Sequence, residues 1–129
     1  MHALRNIHTT LAPGGVLVDT QPVSPHPRVA TDGNELGALD MREWLDTIRA
    51  VDRRILEAVD AGLFEIQHEE RLAVMDAFDD GSECLETASN WRETQVPQTL
   101  CSRLETTHER VTVEQDVRLR LLRCAAIRR

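Results

Sequence analysis

Hydrophobic residues along this chain follow two different periods, and the switches between them predict its secondary structure. Between Asp40 and Ala61 the apolar residues recur every three or four positions, which is the spacing of one helix face. Asp40 and Glu43 form a capping-box pattern at the start, and Gly62 follows the end. The pattern predicts a long amphipathic helix whose apolar stripe comprises Trp44, Leu45, Ile48, Val51, Ile55, Leu56 and Val59.

Two later segments alternate apolar and polar residues and are predicted to be long strands. The first runs from Phe64 to Phe78, and its opening alternation is typical of a half-buried strand. The second runs from Val111 to Cys124 and shows the clearest alternation in the chain. Its predicted inward face comprises Val111, Val113, Val117, Leu119 and Leu121.

Shorter signals complete the set of elements. A helix is predicted over His2 to Leu11, and the apolar run Val16 to Val18 predicts a strand that is covered on both faces. A hairpin turns at Asp32-Gly33-Asn34, and two short helices begin near Asp80 and at Pro97. We therefore expect one α/β domain over residues 1–129, with helices flanking a mixed sheet.

Composition narrows the classes of partner. The 15 basic residues, all of them Arg, stand against 22 acidic ones and give a net charge of -7. We expect no nucleic-acid partner, because an acidic chain is repelled by phosphate backbones. No apolar run approaches the roughly 20 residues that span a bilayer. The three cysteines are widely spaced without a CxxC pair. This usage favours inert thiols in a soluble, cytoplasmic protein.

The residues around the end of the first predicted strand are the candidate catalytic residues. Ligands in open α/β sheets bind beyond the carboxyl ends of strands. Asp19 and Gln21 lie at that end, and His26 lies in the proline-rich loop beyond it. His26 is the candidate general base. The alternative interpretation is that Asp19 and its neighbour Thr20 only cap the loop through local hydrogen bonds.

A pair of arginines on the last strand is a candidate anion site. Arg118 and Arg120 share a strand face, so together they could bind a carboxylate or a phosphate. The favoured alternative is a solvated face whose acidic partners are Glu114 and Asp116.

Three further side chains invite a functional interpretation. His68 and Glu70 share a strand face, but no second histidine lies nearby, so a solvated or salt-bridged segment is favoured over a metal site. Trp44 falls in the helical stripe and is expected to pack in the core, whereas Trp91 could line an interface.

The segment Leu11 to Val18 reads LAPGGVLV and resembles the turn that leads into the fifth strand of class I S-adenosylmethionine-dependent methyltransferases. The resemblance implies that Asp40 to Ala61 is the next helix, that Phe64 to Phe78 is the sixth strand, and that Val111 to Cys124 is the seventh. The fold would then be the carboxyl-terminal half of a Rossmann-like methyltransferase.

The cofactor site of that family matches no position in this sequence. Its Gly-rich loop and ribose-binding acid would lie before Met1, and Gly14-Gly15 precedes a strand rather than following one. We therefore expect a truncated methyltransferase-like protein that does not bind S-adenosylmethionine alone. The alternative is one part of an active methyltransferase whose cofactor-binding half is supplied from elsewhere.

The resemblance also implies an open sheet edge. In the complete fold the strand at Val16 to Asp19 would pair with the fourth strand, which this sequence lacks. Such an edge is usually covered. A second copy of the chain is the simplest cover, and the amino-terminal helix or the hairpin are the alternatives. We expect a homodimer or another partner-binding module.

Overall fold

The computed structural model describes residues 14–125, so the helix predicted over His2 to Leu11 lies outside the described residues. The described part contains five strands and three helices. In chain order they are β1 (Val16–Pro22), β2 (Arg28–Ala30), β3 (Glu35–Ala38), α1 (Arg42–Asp60), β4 (Phe64–Phe78), α2 (Gly81–Ser89), α3 (Gln98–Glu105) and β5 (Val111–Cys124). The predicted α/β class and the two long strands are confirmed.

The strands form one antiparallel sheet, so the prediction of a mixed sheet is wrong. The strand order is β1-β5-β2-β3, and β4 also pairs with β5. The predicted hairpin is present as β2 and β3, with Val29 opposite Gly37. Its turn is closed by a bond from the Thr31 N–H to the Asn34 carbonyl. The three pairings of β5 make the last strand the organising element of the sheet.

Helix boundaries follow the capping residues that the sequence supplies. The Asp40 carboxylate accepts a hydrogen bond from the Arg42 N–H at 3.1 Å, which satisfies a free donor at the start of α1. Gly62 follows α1 with φ of +79°, a conformation that favours glycine. At α2 the Asp80 side chain accepts from the Glu83 N–H at 2.9 Å.

The described residues divide into two compact units. The first unit comprises 14–21, 47–72 and 118–125 of the described residues, and the second comprises Pro22–Asp46 and Ala73–Val117. Among the described residues of the first unit, five side chains are buried together in one core. They are Ile55 and Ala58 of α1, Phe64 of β4, and Leu122 and Cys124 of β5.

The second unit has the larger core. It is built from Val29, Leu39, Phe78, Cys84, Ala88, Leu100, Leu104, Val111 and Val113. Gly81 begins α2 in close contact with the backbone of α3, since an added Cβ would lie 2.0 Å from the Leu104 carbonyl oxygen. Only glycine fits there.

Burial along the two long strands differs from the prediction. Every residue of β4 between Phe64 and Phe78 is exposed, so β4 is not half-buried. On β5 the predicted inward face holds only at its first residues, Val111 and Val113. In the first unit the opposite face is buried, because Ile55 and Ala58 of α1 pack on Leu122 and Cys124. The prediction for Leu119 and Leu121 is therefore wrong.

Other expectations concern thiols and membranes. No disulfide joins any two of the three cysteines, all of which lie in the described part of the chain, and Cys84 and Cys124 are buried. Burial, with a smaller contribution from Glu83, raises the pKa of the Cys84 thiol to about 11, which agrees with an inert thiol. No helix within residues 14–125 is both long and apolar enough to cross a membrane.

Candidate functional site

Strand β1 brings two of the predicted site residues against the arginines of β5. The Cys124 N–H bonds to the Gly15 carbonyl, and the Val23 N–H bonds to the Asp116 carbonyl. These two bonds are eight residues apart on both strands, so the antiparallel register is continuous between them. It places Asp19 opposite Arg120 and Gln21 opposite Arg118, on one face of the sheet.

Asp19 and Gln21 form a hydrogen-bonded, partly buried pair within the first unit. The Gln21 Nε2 donates to Asp19 Oδ1 at 2.9 Å, and Gln21 is 7% exposed. The second oxygen of each side chain is buried and finds no protein partner in the part of the chain that the structure describes. Arg118 Nε is a third buried polar atom without a hydrogen-bond partner among the described residues.

The two arginines are held by acidic residues that the sequence interpretation did not select. Asp52 of α1 accepts from Arg118 at 2.7 Å and also from Arg120. Glu69 of β4 accepts from Arg120 at 3.3 Å. The side chains of Arg118 and Arg120 are only 13% and 7% exposed. The predicted solvated face is therefore wrong here, as are the predicted partners Glu114 and Asp116.

We define the polar cluster as Asp19, Gln21, Asp52, Glu69, Arg118 and Arg120. Its charge balance decides whether it can bind an external anion. Its three carboxylates outnumber its two guanidinium groups, so an external anion has no uncompensated positive charge to bind. The arginines instead bind the chain's own carboxylates and tie β5 to α1 and to β4. The polar cluster is a brace that fixes β1 and β5 rather than an anion site.

One sequence signal could have identified this arrangement. Asp52 lies four residues after Ile48 and three before Ile55, which is the buried side of α1. A carboxylate inside an apolar stripe needs a buried cationic partner. The chain offers Arg118 and Arg120 on the strand that this stripe covers.

His26 does not join Asp19 and Gln21 in a described site. It belongs to the second unit, is exposed, and its ring Nδ1 donates to the Leu39 carbonyl at 3.3 Å. This bond leaves Nε2 as the nitrogen that can accept a proton. The general-base role of His26 stays a prediction.

The histidine of β4 lies in a salt-bridged segment, as the favoured interpretation of the sequence predicts. His68 Nε2 lies 3.3 Å from Glu70 Oε2, and both side chains are about half exposed. The described residues contain no group of three or more His, Cys, Asp or Glu side chains arranged to hold a metal ion.

The outer edge of β1 is the other notable feature of the first unit. Because odd-numbered residues bond to β5, the N–H and C=O groups of Val16, Val18 and Thr20 point away from it. Val16 and Val18 are 50% and 56% exposed, so the prediction of a strand covered on both faces is wrong. Pro22 is the next outward residue, where a missing N–H removes no bond to β5. β1 has the sequence of an edge strand.

Comparisons with known proteins add no family to this picture. No protein-family model matches the chain, and no curated protein matches it.

Proposed function

We propose that this chain is a methyltransferase-like protein that acts as a self-associating, partner-binding module. The outer edge of β1 carries the proposal. This strand ends the sheet order and has β5 as its one strand neighbour among the described elements. Its outward residues include two half-exposed valines. Exposed apolar edge strands pair with other chains unless they are protected.

A second copy of the same chain suits this edge. Two copies of β1 paired antiparallel about a two-fold axis would continue the antiparallel order of the sheet. The residues whose N–H groups point outward, Val16, Val18 and Thr20, carry no charge, and the charged residue of β1, Asp19, lies in the polar cluster beside two arginines. The long strand β4 has exposed charges at Glu65, Glu69, Glu70 and Arg71, which protect its first half from pairing, whereas its second half exposes Leu72, Val74 and Met75.

The expected affinity is modest. Covering a half-exposed valine contributes about 1 kcal/mol, and two copies bring four such side chains. This contribution alone corresponds to a millimolar dissociation constant, and backbone hydrogen bonds between the edges strengthen it. Association should therefore appear between micromolar and millimolar protein.

Sedimentation equilibrium over that concentration range tests the proposal. We expect the native chain to dimerise and the double variant Val16→Lys/Val18→Lys to remain a monomer, because two charges at the edge oppose pairing. Val51→Lys is the matched control, since Val51 is a 43% exposed valine on α1. A native chain that stays monomeric at 1 mM would overturn the proposal. So would a control variant that dissociates as readily as the double variant.

The alternative places the same edge inside a larger enzyme. In this reading the cofactor-binding half of a methyltransferase supplies the strand that pairs with β1. Calorimetric titration of residues 1–129 with S-adenosylmethionine tests a premise that the two hypotheses share, because neither expects this chain alone to bind the cofactor. No heat at millimolar cofactor agrees with both. Stoichiometric binding would contradict both and would make His26 the first residue to mutate.

A further inference from the structure

The second unit contains a cavity that the proposed function does not use. Its volume is about 450 Å³, within the range of pockets that bind small molecules. Residues from α1, β4, the segment after α2, and β5 line it. The main ones are Met41, Trp44, Asp76, Trp91, Arg92 and Gln115.

Its apolar walls hold both tryptophans of the chain. Trp44 and Trp91 are each half-buried, so part of each indole remains accessible. Trp91 is fixed by packing against the core of the second unit, where its ring centroid lies 6.5 Å from that of Phe78. On another wall the Gln115 amide donates to the Met41 sulfur at 3.4 Å. The accessible parts of the two indoles offer aromatic surface to a flat ligand ring.

Two opposite charges line the same cavity. Asp76 on β4 and Arg92 after α2 are both exposed, and neither side chain forms an ion pair with any described residue. The Thr94 hydroxyl, also in the lining, donates to the backbone carbonyl of Arg92 at 3.1 Å. The cavity therefore offers one acceptor for a cation and one bidentate donor for a carboxylate.

We infer that this cavity binds a small zwitterion with an aromatic body, the chemistry of a free aromatic α-amino acid. The ring lies against the indoles of Trp44 and Trp91. The ammonium group pairs with Asp76, and the carboxylate pairs with the guanidinium of Arg92. A ligand with only one charge would leave the other side chain unpaired, and an uncharged ring would use neither. The zwitterion is the class that uses all four groups.

The test follows the two indole N–H signals in a nitrogen–proton NMR spectrum. The chain has two tryptophans, both in the cavity wall, so these signals report on the site directly. The probes are L-phenylalanine, phenethylamine, which lacks the carboxylate, and 3-phenylpropionate, which lacks the ammonium group. We expect saturable shifts of both signals with L-phenylalanine, and at least fivefold weaker binding of each singly charged probe.

Variants assign the charges. Asp76→Asn should weaken L-phenylalanine and phenethylamine but not 3-phenylpropionate, and Arg92→Gln should do the reverse. Glu86→Gln is the matched control, because Glu86 is an exposed acid of the same unit outside the cavity. The inference is wrong if L-phenylalanine gives no saturable shift at 20 mM. It is also wrong if the three probes bind equally, or if the charge variants behave like the control.

Discussion

Removing the carboxylate of Asp52 tests the polar cluster of the first unit most severely. In Asp52→Ala, Arg118 loses its one described ion-pair partner, and Arg120 keeps only Glu69 at 3.3 Å. Leaving a buried charge without its partner costs about 3–5 kcal/mol. The Asp52 side chain is 23% exposed and Glu69 remains, so a loss of about 2–3 kcal/mol is the appropriate figure. The total free energy of unfolding of a natural domain is about 5–15 kcal/mol.

Urea denaturation followed by far-ultraviolet circular dichroism measures this loss. Glu57→Ala is the matched control, because Glu57 is an exposed acid of the same helix, and its removal should change stability by less than about 0.5 kcal/mol. Tryptophan fluorescence is recorded in parallel to follow the unfolding of the second unit, to which both tryptophans belong. If Asp52→Ala is no more destabilising than Glu57→Ala, the arginines are not held by Asp52, and the brace is refuted.

Three other predictions concern backbone packing and pH. Gly81→Ala should destabilise the chain by more than about 2 kcal/mol in the same urea assay, because its Cβ would lie 2.0 Å from the Leu104 carbonyl oxygen; native stability would refute that contact. The pKa of Cys84 is raised to about 11 by burial, so stability should be full below pH 9 and fall as the pH rises towards 11. Cys84→Ala should remove that decline, and an unchanged decline would show another cause. The Arg42 guanidinium holds the pKa of Asp40 at about 2, so the contribution of this ion pair to folding stability should persist above pH 4 and disappear as the pH falls through 2. An NMR titration that gives Asp40 the pKa of an ordinary aspartate would contradict this.

Local sequence signals predicted the helices and strands well, because each signal depends on only a few neighbouring residues. Asp80 marks the start of α2 through a bond to Glu83, and Pro97 precedes α3. The alternation between Phe64 and Phe78 predicted the bounds of β4. Such signals depend on backbone preferences that act without distant partners.

Burial was predicted less well, because it depends on what covers each strand. Arg120 was assigned to solvent from alternation alone, yet Asp52 of α1 neutralises it in a buried position. The face of β5 that is buried differs between its two ends, which no single alternation pattern can express. Val18 was assigned to a covered strand, although nothing among the described residues buries it.

The candidate site was predicted only in part for the same reason. Asp19 and Gln21 were selected by their position at a strand end, and they do contact each other. Their cross-strand neighbours Arg118 and Arg120 follow from the register of β1 with β5. That register joins segments about 100 residues apart in sequence, and alternation within one strand carries no information about it.

Amide hydrogen exchange at two protein concentrations tests the central claim most directly. The N–H groups of Val16, Val18 and Thr20 point away from β5, so a partner that pairs with this edge protects them in proportion to its concentration. The account predicts fast exchange of these three amides at micromolar protein and clear protection at millimolar protein, while Val113 on β5 exchanges at the same rate in both. Unchanged exchange at the edge, or protection that appears on β4 instead, would contradict self-association through β1.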